Sequence, residues 1–386
     1  MLNAQFFDLN LHLDTLIGVI SVGGLILLFS TIISKTQSNA STLTRSIVLV
    51  LSALTLMSFS ARGVFGWSLV TFEFLYLFIA VLYGYCFIRF LQGQVGYWVV
   101  AFTAFVYFLG DAMGVAMVLA SVVMSFIYLF VERRAYSRVF CFLSTLVVLI
   151  YFSFDLGMLS GRPVHAKQST LESLQYLLVN FDSSIEMFVK GFSRSFFNVP
   201  ASKLPVLGFL LRDLSIFLGG GAIVFAVISL FYIYRNKQRV AGREQSCFDT
   251  DSWFCVQLML FVAVCIFGVL VTRLIQFDVN YIFGHRYVRF ASVFGVAALI
   301  AFIKAPFSVR MTNYINIFLI GCIVINLLLL GVSQFIYTKH SEKFFLVRVD
   351  ALHNGTFGQF HRRCENSFCD EAIEFLKKEK LNQFSD

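Results

Sequence analysis

Apolar residues in this chain fall in long runs, unlike the alternation of strands or the narrow stripes of surface helices. The runs cover approximately 13–34, 46–60, 68–91, 97–110, 112–131, 139–157, 208–234, 253–275, 287–303 and 315–337. A helix needs about 20 apolar residues to span about 30 Å of hydrocarbon. The pattern therefore predicts an all-α polytopic membrane helix bundle with about ten transmembrane helices. The second and fourth runs are short. The stretch from Tyr97 to Val131 is too long for one crossing and is interrupted at Gly110–Asp111, which predicts a helical hairpin turning at Asp111. Residues 1–337 make the bundle, and the polar residues 338–386 make a C-terminal tail.

Composition agrees. Hydrophobic residues make up 58% of the chain and charged residues 13%, against about a quarter charged in a soluble domain. A water-soluble globule of this composition would expose large apolar patches. The net charge of +8 comes from basic residues lying between apolar runs, not from a basic stripe interleaved with aromatics, so nucleic acid is not an expected partner. Alternate loops sort by charge. One set holds Lys35 and Arg45, Arg89, Arg133, Arg134 and Arg138, Arg235 to Arg243, and Lys304 and Arg310; the short loops of the other set hold only Arg62 and Arg286. The positive-inside rule places the first set in the cytoplasm, and both termini, the 158–205 loop and the 338–386 tail outside a cytoplasmic (inner) membrane. The first run has no basic segment before it and no small-residue cleavage site after it, and reads as a retained helix. Trp67, Trp98 and Trp253 fall near predicted helix ends, as interfacial anchors do.

Within the 158–205 loop, Ser169 to Phe197 has helical periodicity. Leu171, Leu174, Leu177, Leu178, Phe181, Ile185, Phe188 and Phe192 take one side, and Glu172, Asp182, Glu186, Lys190 and Arg194 the other. This predicts an amphipathic helix or pair of helices, either flat in the membrane interface or acting as a lid on the bundle. In the tail, Glu371 to Leu381 reads as a short helix. Cys364 and Cys369 before it form a possible local disulfide if the tail lies outside; their spacing, without a second pair, does not make a metal site. No spacing for haem or metal and no P-loop occurs, so neither cofactor nor ATP hydrolysis is expected.

Ionisable residues at membrane depth are costly and mark candidate sites. Glu73, Asp111, Arg212–Asp213, Arg273, Asp278 and the segment Gly284-His285-Arg286-Tyr287-Val288-Arg289 stand out. Two arginines three positions apart share a helix face. They can grip an anionic group such as a phosphate, with His285 and Arg212 as further binding candidates, or snorkel to the interface as anchors. Asp111 is either a general base for a sugar hydroxyl or a turn residue capping the next helix. Arg212–Asp213 is either an internal ion pair or part of the site.

About ten spans, a large outer loop with amphipathic helices, an outer tail and Gly-His-Arg-Tyr opening a late helix together resemble bacterial multispanning GT-C-like glycosyltransferases and O-antigen or capsule polymerases. The resemblance covers layout only. The loop 61–67, Ala-Arg-Gly-Val-Phe-Gly-Trp, carries no acid where such enzymes commonly have one. It implies a polyprenyl-linked sugar donor, a glycan acceptor and a membrane-lipid setting. In it Arg286 and Arg289 hold the phosphate, Asp111 takes the acceptor proton, and the 158–205 loop covers the site. A transporter or flippase and a non-catalytic membrane subunit are the rival classes.

Overall fold

A computed structural model describes residues 11–36, 40–57, 68–109, 111–132, 136–155, 170–197, 214–240, 248–273 and 288–353. These form twelve helices and no strand: α1 Leu11–Lys35, α2 Thr42–Leu56, α3 Ser68–Leu91, α4 Trp98–Leu109, α5 Asp111–Glu132, α6 Tyr136–Asp155, α7 Thr170–Val179, α8 Phe181–Gly191, α9 Ser215–Val240, α10 Thr250–Arg273, α11 Val288–Lys304 and α12 Val309–His353. Among the described residues each of the ten apolar runs overlaps one helix, and α7 and α8 are the amphipathic pair. Six helices (α1, α3, α5, α9, α10 and α12) contain segments long and apolar enough to cross a membrane. Phe130 is 87% exposed and Phe140 74%; side chains of this kind turned outward all round a bundle are solvated by lipid, not water. The chain is a membrane-embedded helical bundle.

Local chemistry sets the helix ends. Gly93, at φ 79°, stops α3: its amide donates to the Phe90 carbonyl at 3.0 Å and the Gln94 amide to the Arg89 carbonyl at 2.8 Å. This left-handed cap is one that glycine adopts without strain. The expected hairpin forms between α4 and α5, where Gly114 lies directly on the Val106 carbonyl with no room for a Cβ. Pro306 follows α11, and the Ser308 hydroxyl accepts the Met311 amide at 3.3 Å at the start of α12.

Contacts between helix ends sort them onto two faces. On one face Thr36 after α1 meets Asp251 of α10, Gln94 after α3 meets Thr250, Arg138 of α6 reaches the Leu91 carbonyl, and Lys304 ending α11 meets Asp249. Lys35, Arg89, Arg138 and Lys304 all belong to this face, which is therefore the basic one. Trp253 lies there too, but not as an anchor in lipid. It is 1% exposed, between Tyr128 at 5.3 Å and Phe248 at 4.9 Å.

At the centre stands α11, buried along its whole described length from Arg289 to Ile303. Its small residues, Ala291, Ser292, Gly295, Ala297, Ala298 and Ala301, let neighbouring helices approach on every side. The Ser292 hydroxyl donates across to the Thr55 carbonyl of α2 at 3.0 Å. The last helix, α12, runs 45 residues, about 68 Å and more than twice the hydrocarbon thickness; its membrane-length segment is Val309–Gly331.

Candidate functional site

Charged groups mark both ends of α11. At its first turn Arg289 forms an ion pair with Glu73 of α3. The guanidinium carbon lies 6.0 Å from the Phe74 ring and 5.5 Å from the Phe290 ring, a distance at which ring faces attract a cation. At its last residue Lys304 pairs with Asp249 and, at 3.0 Å, with Asp251. At about 1.5 Å of rise per residue the two cations are about 22 Å apart along the axis.

On the basic face the polar groups form a network at the start of α10. Asp249 accepts the Ser252 amide at 3.1 Å, capping that helix. Gln94 donates to Thr250 at 2.9 Å and to Gln92 at 3.0 Å, and Arg89 donates to Gln94 at 3.1 Å. Burial alone would push the Asp249 carboxyl up; the Lys304 ammonium and the Ser252 hydrogen bonds outweigh it and hold the group below the ordinary carboxylate range. Each of these contacts is met within the protein, and the network ties α1, α3, α10 and α11 together.

On the opposite face the amphipathic pair packs against the bundle with neither side wholly turned outward. From its apolar side Leu178, Phe181 and Ile185 are exposed while Leu177 and Phe192 are buried; from its polar side Asp182 is exposed while Lys190 and Arg194 are buried. Lys190 pairs with Glu186 one turn earlier. The chain then turns back into the bundle. The Val189 carbonyl rests on Gly219 of α9, the Ser195 carbonyl on Gly295 of α11, and Asn326 of α12 donates to the Phe196 carbonyl at 2.8 Å. The Phe192 ring packs on Phe294 at 4.6 Å. Gly295 lies about two turns, or roughly 10 Å, inside the end of α11. Residues 189–197 are thus a re-entrant piece, and it carries Arg194 into the bundle.

No protein-family model, curated protein or solved structure matches the chain.

The expected site residues divide accordingly. Arg289 pairs with Glu73. Asp111 is the first residue of α5, on the face that also carries Glu73 and Arg289. His285, Arg286, Arg212, Cys364 and Cys369 lie outside the described residues. Sequence reasoning singled out Glu73 as an intramembrane acid without finding its partner. In the sequence Lys304 reads only as a topology marker, and Lys190 and Arg194 as part of the polar side of an amphipathic segment. Buried hydrogen bonds deeper in the bundle, Tyr83 with Thr103 at 3.1 Å and Gln257 with Ser121 at 2.9 Å, join α3 to α4 and α5 to α10 as polar glue between helices.

Proposed function

We propose that the chain is an integral-membrane glycosyltransferase or polysaccharide polymerase. In this reading it crosses a cytoplasmic membrane about ten times, with both termini outside, and takes a polyprenyl-linked sugar donor at the outer face. The observation that carries the reading is the burial of Lys190, Arg194 and Arg289 on the face opposite the basic loops. Buried cations are costly even where acids of the chain pair with them, as Glu186 does with Lys190 and Glu73 with Arg289, and three gathered on one face suit an anionic ligand. A lipid-linked phosphate or diphosphate presents its charge there.

In the reaction the acceptor hydroxyl oxygen bonds to the anomeric carbon of the donor sugar. The bond from that carbon to the phosphate oxygen breaks, and the electron pair leaves with the phosphate. Arg286 and Arg289 stabilise the departing charge, Asp111 takes the hydroxyl proton, and the 158–205 segment covers the site and shapes acceptor choice. Deletion of the gene is expected to abolish a surface polysaccharide and to leave lipid-linked intermediates accumulating. Unchanged surface glycans and intermediates would overturn the reading. They would favour the second one, a transporter or flippase of lipid-linked glycans or small solutes, which draws support from the ion pairs at both ends of α11.

A further inference from the structure

Arg289, one of the cations assigned to the donor, already has an anionic partner in Glu73. We propose that Glu73 is a resident stand-in for the ligand, holding Arg289 while the site is empty and giving way when a phosphate of a lipid-linked ligand arrives. This rests on the donor reading of the same site.

The pair is asymmetric. The Arg289 side chain is 9% exposed and that of Glu73 19%, so the carboxylate is on the more accessible side and an incoming anion meets it first. The guanidinium is flanked by the Phe74 and Phe290 rings, whose contact with it does not depend on which anion it holds. The cation stays while the anion changes. An uncompensated cation there would be costly, and Glu73 meets that need in the empty state. A phosphate meets it with more charge and more acceptor oxygens. Position agrees: Glu73 lies in the second turn of α3 and Arg289 in the first described turn of α11, so the pair sits near helix ends, where a lipid headgroup can reach it, and not in the middle of either helix. The exchange also confers selectivity. A carboxylate ligand gains nothing over the identical group already in place, whereas a phosphate does.

The test uses the full chain in phosphatidylcholine nanodiscs, with binding of a polyprenyl monophosphate, inorganic phosphate and the uncharged polyprenol measured separately. Glu73→Gln is expected to tighten polyprenyl phosphate binding about tenfold, within the usual span of coupling between groups. Arg289→Ala is expected to abolish that binding, and the polyprenol arm should respond to neither change. Tightening in the inorganic phosphate arm as well identifies the phosphate alone as the recognised group; tightening confined to the lipid arm adds the chain to it. Wild-type binding that Glu73→Gln leaves unchanged or weakens overturns the exchange and spares the donor reading. Polyprenyl phosphate binding by neither protein overturns both. If Glu73→Gln does not fold, Glu73→Asp, with a shorter reach to Arg289, is expected to tighten binding to a smaller degree, and its failure to do so counts equally against the exchange.

Discussion

Lys304 ends a helix whose other described side chains are buried, and it stands against two carboxylates. Lys304→Met leaves Asp249 and Asp251 facing each other without their cation. Their side chains are 43% and 23% exposed, so the expected loss is about 1–2 kcal/mol, below the roughly 3–5 kcal/mol of a fully buried pair broken on one side. Thermal unfolding in detergent would register it as a lower apparent Tm. The pH dependence has a definite sign. The folded Asp249 carboxyl is held below its ordinary value, so it contributes stability above about pH 3.9 that is lost as the pH falls through the lowered folded value. The wild-type Tm should therefore fall on acidification from about pH 5 to about pH 3, and Lys304→Met should fall less. Parallel profiles for the two proteins would sink this account. The charge of Lys304 was legible in the sequence, and so was that of Arg289. Their partners were not, because Asp249 and Glu73 are brought up by other helices and nothing local to either cation names them.

Elements were read more securely than contacts. Length and apolarity alone identify a span, because hydrocarbon thickness imposes the length. Each of the ten runs falls on a helix, six of them with segments of membrane length, and the interruption at Gly110–Asp111 falls at the break between α4 and α5. The re-entrant piece is not legible in the sequence for a physical reason: the sidedness of an amphipathic segment says which residues share a face, not which of them pack on the bundle. What keys that piece into the bundle is glycine, and the triplet in α9 separates packing from propensity. Gly219 lies on the Val189 carbonyl, whereas a Cβ at Gly220 or Gly221 meets nothing within 4 Å. Gly219→Ala is expected to cost about 1–3 kcal/mol by overpacking against backbone that cannot rotate away. Gly220→Ala is expected to be neutral or to stabilise by roughly 0.5–1 kcal/mol through helix propensity. Unfolding of both variants under the same detergent conditions settles it, and equal Tm values would remove Gly219 from the role of a key.

At the scale of the molecule the question is which face is outside. Contacts between helix ends group Lys35, Arg89, Arg138 and Lys304 on one face and Glu73, Arg289 and the re-entrant piece on the other, and the proposed topology makes the first face the cytoplasmic one. Asn236 near the end of α9 and Gln175 in α7 are both exposed and belong to different faces. With Cys247, Cys364 and Cys369 replaced by serine, a membrane-impermeant maleimide should label Gln175→Cys in intact cells. It should label Asn236→Cys only after permeabilisation. Buried Cys255 and Cys265 are internal controls that react only on denaturation. Labelling of both positions from one side would break the alternation of α7 to α9 and with it the placement of the re-entrant piece. Reversed labelling would keep the bundle and turn it over. Lys190, Arg194 and the Glu73–Arg289 pair would then face the cytoplasm, and the ligand that displaces Glu73 would have to come from the inner leaflet.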